Sequence, residues 1–248
     1  MITIHEREKR RMKFSLIVPM YNECEVIQDT VRTLNACLGE QFGADFELLC
    51  VDDGSSDGSA ALVEALKLPQ VRVLRYEPNR GKGCAVRTGM LAAVGELRMF
   101  LDADLAYGTA VIAQAVDLLE QHPERDILIG SRVKHAEGYS GYTWLRKTAS
   151  KAYIGVLNVT GGLKQSDSQC GCKLFRARAA QEIFSRMECD GFAFDFEAIL
   201  WAQKLGFGIV ELPVKIINHR QSKVRVFHDA VQMLGELRRI KKRVKNGA

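Results

Sequence analysis

The sequence predicts an α/β protein: an open, mostly parallel sheet flanked by helices, with an amphipathic helix at the C-terminal end. Two observations carry this. Short apolar runs alternate with longer segments of helical periodicity, and each apolar run of the first half stops at a cluster of polar, turn-forming residues. Strands separated by helices of about 10 to 16 residues pair in parallel through right-handed crossovers.

The elements follow in order. Phe14 to Val18 is an apolar run ending at Pro19, short enough for a buried strand. Residues 23–38 carry Val26, Ile27, Val31, Leu34 and Leu38 at helical spacing. Phe46 to Val51 reads as a second buried strand, stopped by Asp52-Asp53-Gly54. Ser56-Asp57 opens a helix to about Lys67, with acids at its start where the helix dipole favours them. Val71 to Leu74 is a strand, Gly81 to Ala93 a helix, Leu97 to Leu101 a strand ending at Asp102, 109–121 a helix and Ile127 to Ile129 a strand. In the second half, residues 142–160 place Tyr142, Trp144, Leu145, Ala149, Ala152, Tyr153 and Val156 in a helical pattern. Residues 172–176 read as a short strand, 194–205 as a helix and 208–217 as a long apolar strand. Residues 226–244 form an amphipathic helix with Val226, Ala230, Val231, Leu234, Leu237, Ile240 and Val244 on one face. The expected organisation is a basic N-terminal segment (1–13), one domain (14–225) and a basic helix and tail (226–248), with no internal repeat.

Composition narrows the class. The chain has 248 residues, 47% hydrophobic and 26% charged, which excludes disorder, collagen and a disulfide-stapled miniprotein. The net charge of +5 is uneven: residues 1–13 carry +3 and 238–248 carry +6, leaving −4 for the body. That is not the profile of a nucleic-acid binder. The cysteines number seven, and several lie in apolar runs, so reduced thiols are expected. Cys170-Gly171-Cys172 lacks a second ligand pair at zinc spacing. No run reaches the roughly 18 apolar residues of a membrane span, and the charged N-terminus lacks the apolar core of a signal peptide. The expectation is therefore a protein that is neither exported nor membrane-spanning.

In an open α/β sheet, ligands sit beyond the carboxyl ends of the strands. The five first-half strands discharge there into Pro19-Met20-Tyr21-Asn22-Glu23, Asp52-Asp53-Gly54-Ser55-Ser56-Asp57-Gly58, Asn79-Arg80-Gly81-Lys82-Gly83, Asp102-Ala103-Asp104 and Gly130-Ser131-Arg132. Five polar loops at one edge predict one composite site. In extended backbone, residues i and i+2 point the same way, so Asp102 and Asp104 can face a single ion, Mg²⁺ or Mn²⁺. The plainer alternative is a solvated turn. Arg80-Gly81-Lys82-Gly83 offers two cations and bare backbone N–H groups at a helix start, a plausible phosphate contact. It is neither a P-loop nor a dinucleotide fingerprint, since Val86 stands where the third glycine would be. Asp53 can accept from a nucleobase or ribose and Tyr21 can stack on a base; a turn or core-edge role fits each equally well.

These loops, in this order and spacing, resemble the family 2 glycosyltransferases of the GT-A (Rossmann-like) fold over residues 14–132. Gln169-Cys170-Gly171-Cys172-Lys173-Leu174-Phe175, Phe194-Asp195-Phe196-Glu197 and Ser222-Lys223-Val224 extend the resemblance to about residue 240, toward the dolichyl-phosphate β-glucosyltransferases and polyprenyl-phosphate hexosyltransferases. The resemblance implies that Pro19, Tyr21, Glu23 and Asp53 hold the nucleoside and that Lys82 lies near base and phosphate. Asp102 and Asp104 would bind the divalent ion and sugar diphosphate, and Arg132 would meet the donor or acceptor phosphate. Arg146, Lys223, Arg225 and Arg220 would attract the lipid phosphate. Two departures stand out: Cys172 where the family usually has Phe, and Gly108 where Pro is common.

The implied reaction is inverting transfer of a hexose, glucose before mannose, from a nucleotide sugar, UDP-linked before GDP-linked, to a polyprenyl or dolichyl phosphate. Asp104, Asp195 and Arg132 are the implied catalytic residues. A phosphate nucleophile needs no strong base; a sugar hydroxyl acceptor would, with Asp195 the first candidate. A non-catalytic nucleotide-sugar-binding protein is the third reading, opposed by the intact acidic triplet. The basic C-terminal helix and the 142–160 helix suggest peripheral docking on an anionic, cytoplasmic membrane face. Many relatives carry C-terminal membrane spans, and none is expected here.

Overall fold

The computed structural model describes residues 13–218 and 226–247. The strands are β1 (Phe14–Met20), β2 (Phe46–Asp52), β3 (Val71–Arg75), β4 (Leu97–Leu101), β5 (Ile127–Ser131), β6 (Cys172–Arg176) and β7 (Ile209–Pro213). The helices are α1 (Ile27–Phe42), α2 (Ser59–Glu64), α3 (Lys82–Ala92), α4 (Ala110–Gln121), α5 (Trp144–Gly161), α6 (Ala177–Phe184), α7 (Phe194–Lys204) and α8 (Val226–Asn246). The strands form one sheet in the order β3-β2-β1-β4-β6-β5-β7. All pairings are parallel except those of β6, which runs against both β4 and β5.

Side chains alternate across this sheet, as strand geometry requires. Leu16, Val18, Leu48, Cys50, Met99, Leu101 and Leu128 enter a core shared with the buried faces of α1 and α4. Ile17, Leu49, Val51, Phe100, Ile127 and Ile129 enter a second core on the opposite face, with α3, α6, α7 and α8. Each large apolar side chain fully buried this way stabilises the fold by about 1.5–3 kcal/mol. The sheet is thus covered on both faces, and its carboxyl edge is left open.

Most elements lie within a few residues of expectation, and the differences have physical reasons. Helix α1 starts at Ile27, because the Glu23 carbonyl accepts the N–H groups of Val26 and Ile27 and closes a turn first. Strand β7 stops at Pro213. Val214 still donates to Ser131, but Ile217 and Asn218 leave the sheet and donate to Ala106. Helix α6 was not anticipated. It is only eight residues long, and its buried Ala179, Ala180, Ile183 and Phe184 recur at helical spacing and pack it against the second core. The C-terminal helix packs on the body through Leu237, Ile240 and Val244, which are buried in the second core.

Candidate active site

The loops after β1 and β2 are stitched together. Asn22, with φ at +53°, donates its N–H to Ser55 Oγ (2.9 Å), and its Oδ1 accepts the Ser56 N–H (2.9 Å). Glu23 N–H donates to Ser59 Oγ (2.8 Å) and Cys24 N–H to Asp57 Oδ2 (2.9 Å). Asp57 Oδ1 also accepts the Ser59 N–H and hydroxyl. Burial pushes the Asp57 carboxyl up, but these donors outweigh it and hold it well below the usual carboxylate range. Pro19 is half-buried and Tyr21 is exposed above this seam.

Asp53 is buried and organises the next loop. Its Oδ1 accepts the Arg80 N–H (2.8 Å), and its Oδ2 accepts the Gly81 N–H (2.8 Å) and Asn79 Nδ2 (2.8 Å). The loop is therefore not the row of bare N–H groups expected. Arg80 also turns away: its guanidinium binds Asp190 (2.9 Å). Lys82 alone of this loop's cations reaches the acidic triplet, with Nζ 2.5 Å from Asp102 Oδ1. The two form a close ion pair that engages Asp102 Oδ1.

The triplet itself is a turn and not extended chain. β4 ends at Leu101, and the Leu105 N–H closes on the Asp102 carbonyl (3.1 Å), with Leu105 at φ +48°. Asp104 Oδ1 accepts the Ala106 N–H (3.0 Å). The two carboxylates nevertheless feel each other: burial, then the neighbouring Asp102 charge, hold the Asp104 carboxyl above its ordinary value. Beside Asp104 opens a cavity of about 230 Å³, walled by Val26, Thr30, Thr33, Leu105 and Asn218.

Because β6 is antiparallel, its N-terminal end arrives at the same edge. A β-carbon at Gly171 would collide with the Asp102 carboxylate. Two residues on, Lys173 is buried with Nζ 2.5 Å from Asp195 Oδ1 and 2.8 Å from the Cys170 carbonyl, above the Phe100 ring. Burial raises the Asp195 carboxyl, against the pull of Lys173 and Lys82. Burial lowers the Lys82 ammonium, but Asp102 and Asp195 more than reverse this, so it is held above its ordinary value. Lys173, Asp195, Lys82, Asp102 and Asp104 thus form one row of alternating charge with one carboxylate in excess. Sequence reasoning assigned no role to Lys173 or Gly171. The available signal was a lysine inside an otherwise apolar strand.

Other expected site residues lie elsewhere. Arg132 is buried, and Asp167 clasps its guanidinium through Nε (2.7 Å) and an NH₂ group (2.9 Å), with Tyr139 over it. It braces the loop after β5 and is not an open phosphate clamp. Arg146 lies in the first turn of α5. Arg220, Lys223 and Arg225 fall outside the described residues. The chain entering that basic stretch is tied to the triplet: Asn218 Nδ2 donates to the Leu105 carbonyl (2.8 Å).

The residues fit a hard divalent cation. Two mutually repelling carboxylates supply the oxygen donors such an ion prefers, and the missing side chain at Gly171 leaves room for the Asp102 carboxylate itself. Among the described residues no cluster of three or more His, Cys, Asp or Glu side chains could hold an ion. Such an ion would therefore rely on ligands beyond the pair.

A GT-A-like sheet with an acidic turn at the end of its central strand is a glycosyltransferase fold. The chain matches the description "Glycosyl transferase family 2" over residues 15–184 and belongs to that family of enzymes. It is 32% identical to a dolichyl-phosphate beta-glucosyltransferase of Dictyostelium discoideum, over 92% of this chain and 73% of that protein. The same-named protein of Saccharomyces cerevisiae is 28% identical, over 90% and 72%. Among solved structures, glucosyl-3-phosphoglycerate synthase from Mycobacterium tuberculosis, in complex with Mn²⁺, UDP-glucose and phosphoglyceric acid, superposes with a TM-score of 0.69. It covers 94% of this chain and 80% of that one at 15% identity, a likeness of fold. No helix among the described residues is long and apolar enough to cross a membrane.

Proposed function

We propose that this glycosyltransferase moves glucose, with inversion, from UDP-glucose to a polyprenyl or dolichyl phosphate, using Mg²⁺ or Mn²⁺. The observation that carries the reading is the ion row at the sheet edge. Its excess carboxylate would suit a divalent cation beside a diphosphate, and Lys82 would suit the phosphates themselves. The names of the relatives support glucose and dolichyl phosphate. The UDP and Mn²⁺ held by the structural neighbour support the donor and metal.

In this reading Asp102 and Asp104 hold the ion, which when bound neutralises the charge developing on the leaving UDP. Lys82, paired with Asp102, would add a positive charge beside the diphosphate. Pro19, Tyr21, Glu23 and Asp53 form the nucleoside side, Asp53 by fixing the 79–81 loop. Asp195, paired to a buried ammonium at 2.5 Å, orients Lys82 and the sugar. A nucleophile already anionic at neutral pH, such as a phosphate oxygen, needs no strong base, and the relatives' names point to that acceptor. It attacks the anomeric carbon as the bond to the β-phosphate breaks, and UDP leaves. Lys223 and Arg225 bring the acceptor phosphate; their stretch of chain follows directly from Asn218, tethered to the acidic turn. Arg132 positions this side through Asp167.

The test is transfer of radiolabelled glucose from UDP-glucose into an organic-extractable product, with dolichyl phosphate and with Mn²⁺, Mg²⁺ or chelator. Product should require lipid phosphate and metal. Asp104→Ala should abolish turnover with a nearly unchanged melting temperature. Wild-type turnover in that variant, or equal turnover in chelator, would refute the metal assignment. Transfer to sugar hydroxyls but not to lipid phosphate would replace the acceptor.

A further inference from the structure

We infer that Arg243, near the end of α8, is a positioning residue for the nucleotide-sugar loop, acting through the segment 188–191. This rests on the reading of Lys82 as a donor-site residue. Arg243 NH1 donates to Glu197 Oε1 (2.9 Å), and its Nε pairs with Glu188 Oε2 (3.1 Å). Glu197 is fully buried on α7, and its Oε2 accepts the N–H groups of Glu188 (3.1 Å) and Cys189 (2.7 Å). One guanidinium therefore neutralises the carboxylate that shapes the 188–191 turn.

That turn is the wall against which the Lys82 loop is built. The Asp190 carbonyl accepts the Cys84 N–H (3.2 Å), and its carboxylate binds Arg80 (2.9 Å) and Arg87 (2.7 Å). Gly81 and Gly83, which bracket Lys82, lie directly on it. A β-carbon at Gly81 would come 2.5 Å from the Asp190 carbonyl oxygen, and one at Gly83 would strike Cys189 and Gly191. Contacts this close fix backbone position, so a shift of the turn moves Lys82 relative to Asp102. Glu236, also on α8, faces the same turn 3.6 Å from Cys189 Sγ. α8 thus grips the turn through a cation and a carboxylate, and the C-terminal helix is part of the donor site's support.

Removing Arg243 leaves Glu197 buried without its cation, so the turn should loosen while the sheet stays intact. Hydrogen exchange of the ligand-free protein reads this directly. In Arg243→Ala, amides of residues 80–85 should exchange about tenfold faster, with β2 and α1 unchanged. Arg243→Lys should restore most of the protection. In parallel, KM for UDP-glucose should rise about tenfold with kcat within about twofold, because a displaced Lys82 weakens donor binding before chemistry. If Arg243→Ala does not fold, the charge-free pair Arg243→Met with Glu197→Gln carries the same exchange prediction, since neither side chain is then left as a lone buried charge. Unchanged exchange at 80–85 in a folded variant, or acceleration spread evenly over the chain, overturns the inference. The exchange result stands whichever nucleotide sugar is the substrate. Faster exchange without a KM change would instead count against Lys82 as a donor-site residue.

Discussion

At the scale of single residues, the site depends on what Gly171 lacks. Its α-carbon lies against the Asp102 carboxylate, and its φ is not in the left-handed region, so alanine suits the backbone but not the neighbour. Gly171→Ala should displace Asp102 by a fraction of an ångström to an ångström, lowering kcat/KM about 100-fold with little change in melting temperature. Steady-state kinetics beside thermal unfolding check this; a large loss of stability would mean the glycine serves packing. Lys173 makes the opposite case. It and Asp195 are both buried, so Lys173→Met strands a carboxylate and should destabilise the protein by about 3–5 kcal/mol in urea titration. Pairing it with Asp195→Leu should recover most of that stability while leaving the enzyme inactive. Recovery of neither would show that Lys173 matters through packing on Phe100 and not through charge.

At the scale of elements, the stitched β1 and β2 loops carry a pH dependence whose sign follows from Asp57. Its folded pKa lies below the ordinary value of about 4, so folding favours the ionised form. That stabilisation is complete above about pH 5 and is lost as pH falls below about 4 toward the folded value. Asp57→Asn should therefore melt lower than wild type at pH 7, and the gap should narrow by about pH 3. Calorimetry at the two pH values decides it, and an equal gap at both refutes the ionic role. The same scale explains what was legible in the sequence. Leu16, Ile17 and Val18, or Leu48, Leu49 and Cys50, announce strands buried on both faces, and the polar residues after them mark the open edge. Asp102, Asp104 and Lys82 were found that way. Gly171 stands just before β6 and Lys173 at its second residue, and only an antiparallel β6 brings the start of a strand to the edge where the others end. Nothing local encodes that direction. Nor does local pattern reveal that Asp53 faces the 79–81 loop or that Arg132 is held by Asp167, because both partners are distant in sequence.

At the scale of the whole molecule, charge and apolar surface are sorted between helices. The apolar stripe of α8 at Leu237, Ile240 and Val244 is buried, so this part of the helix cannot insert into lipid; Arg243 also faces inward. Arg238, Arg239, Lys242 and Lys245 remain exposed. Any contact with a membrane through this part of α8 would therefore be a matter of electrostatics, up to about 1 kcal/mol per cation before screening. α5 offers the complement. Trp144 is 78% exposed and Val159 87%, with Lys147 and Lys151 exposed along the same helix, and its last turn meets α8 where Lys241 bonds the Thr160 carbonyl. Vesicles containing phosphatidylserine should pellet the protein at about 50 mM salt and release it by about 500 mM, as the screening length shortens. Replacing Arg238, Arg239, Lys242 and Lys245 by Gln should abolish pelleting yet leave turnover of a short, water-soluble polyprenyl phosphate unchanged. The two tryptophans separate electrostatic contact from insertion. Trp201 is buried and silent, so a blue shift on vesicle addition reports Trp144 entering the interface. Pelleting without that shift would mean that α8 alone meets the headgroups, and no pelleting at low salt would remove the bilayer from this account.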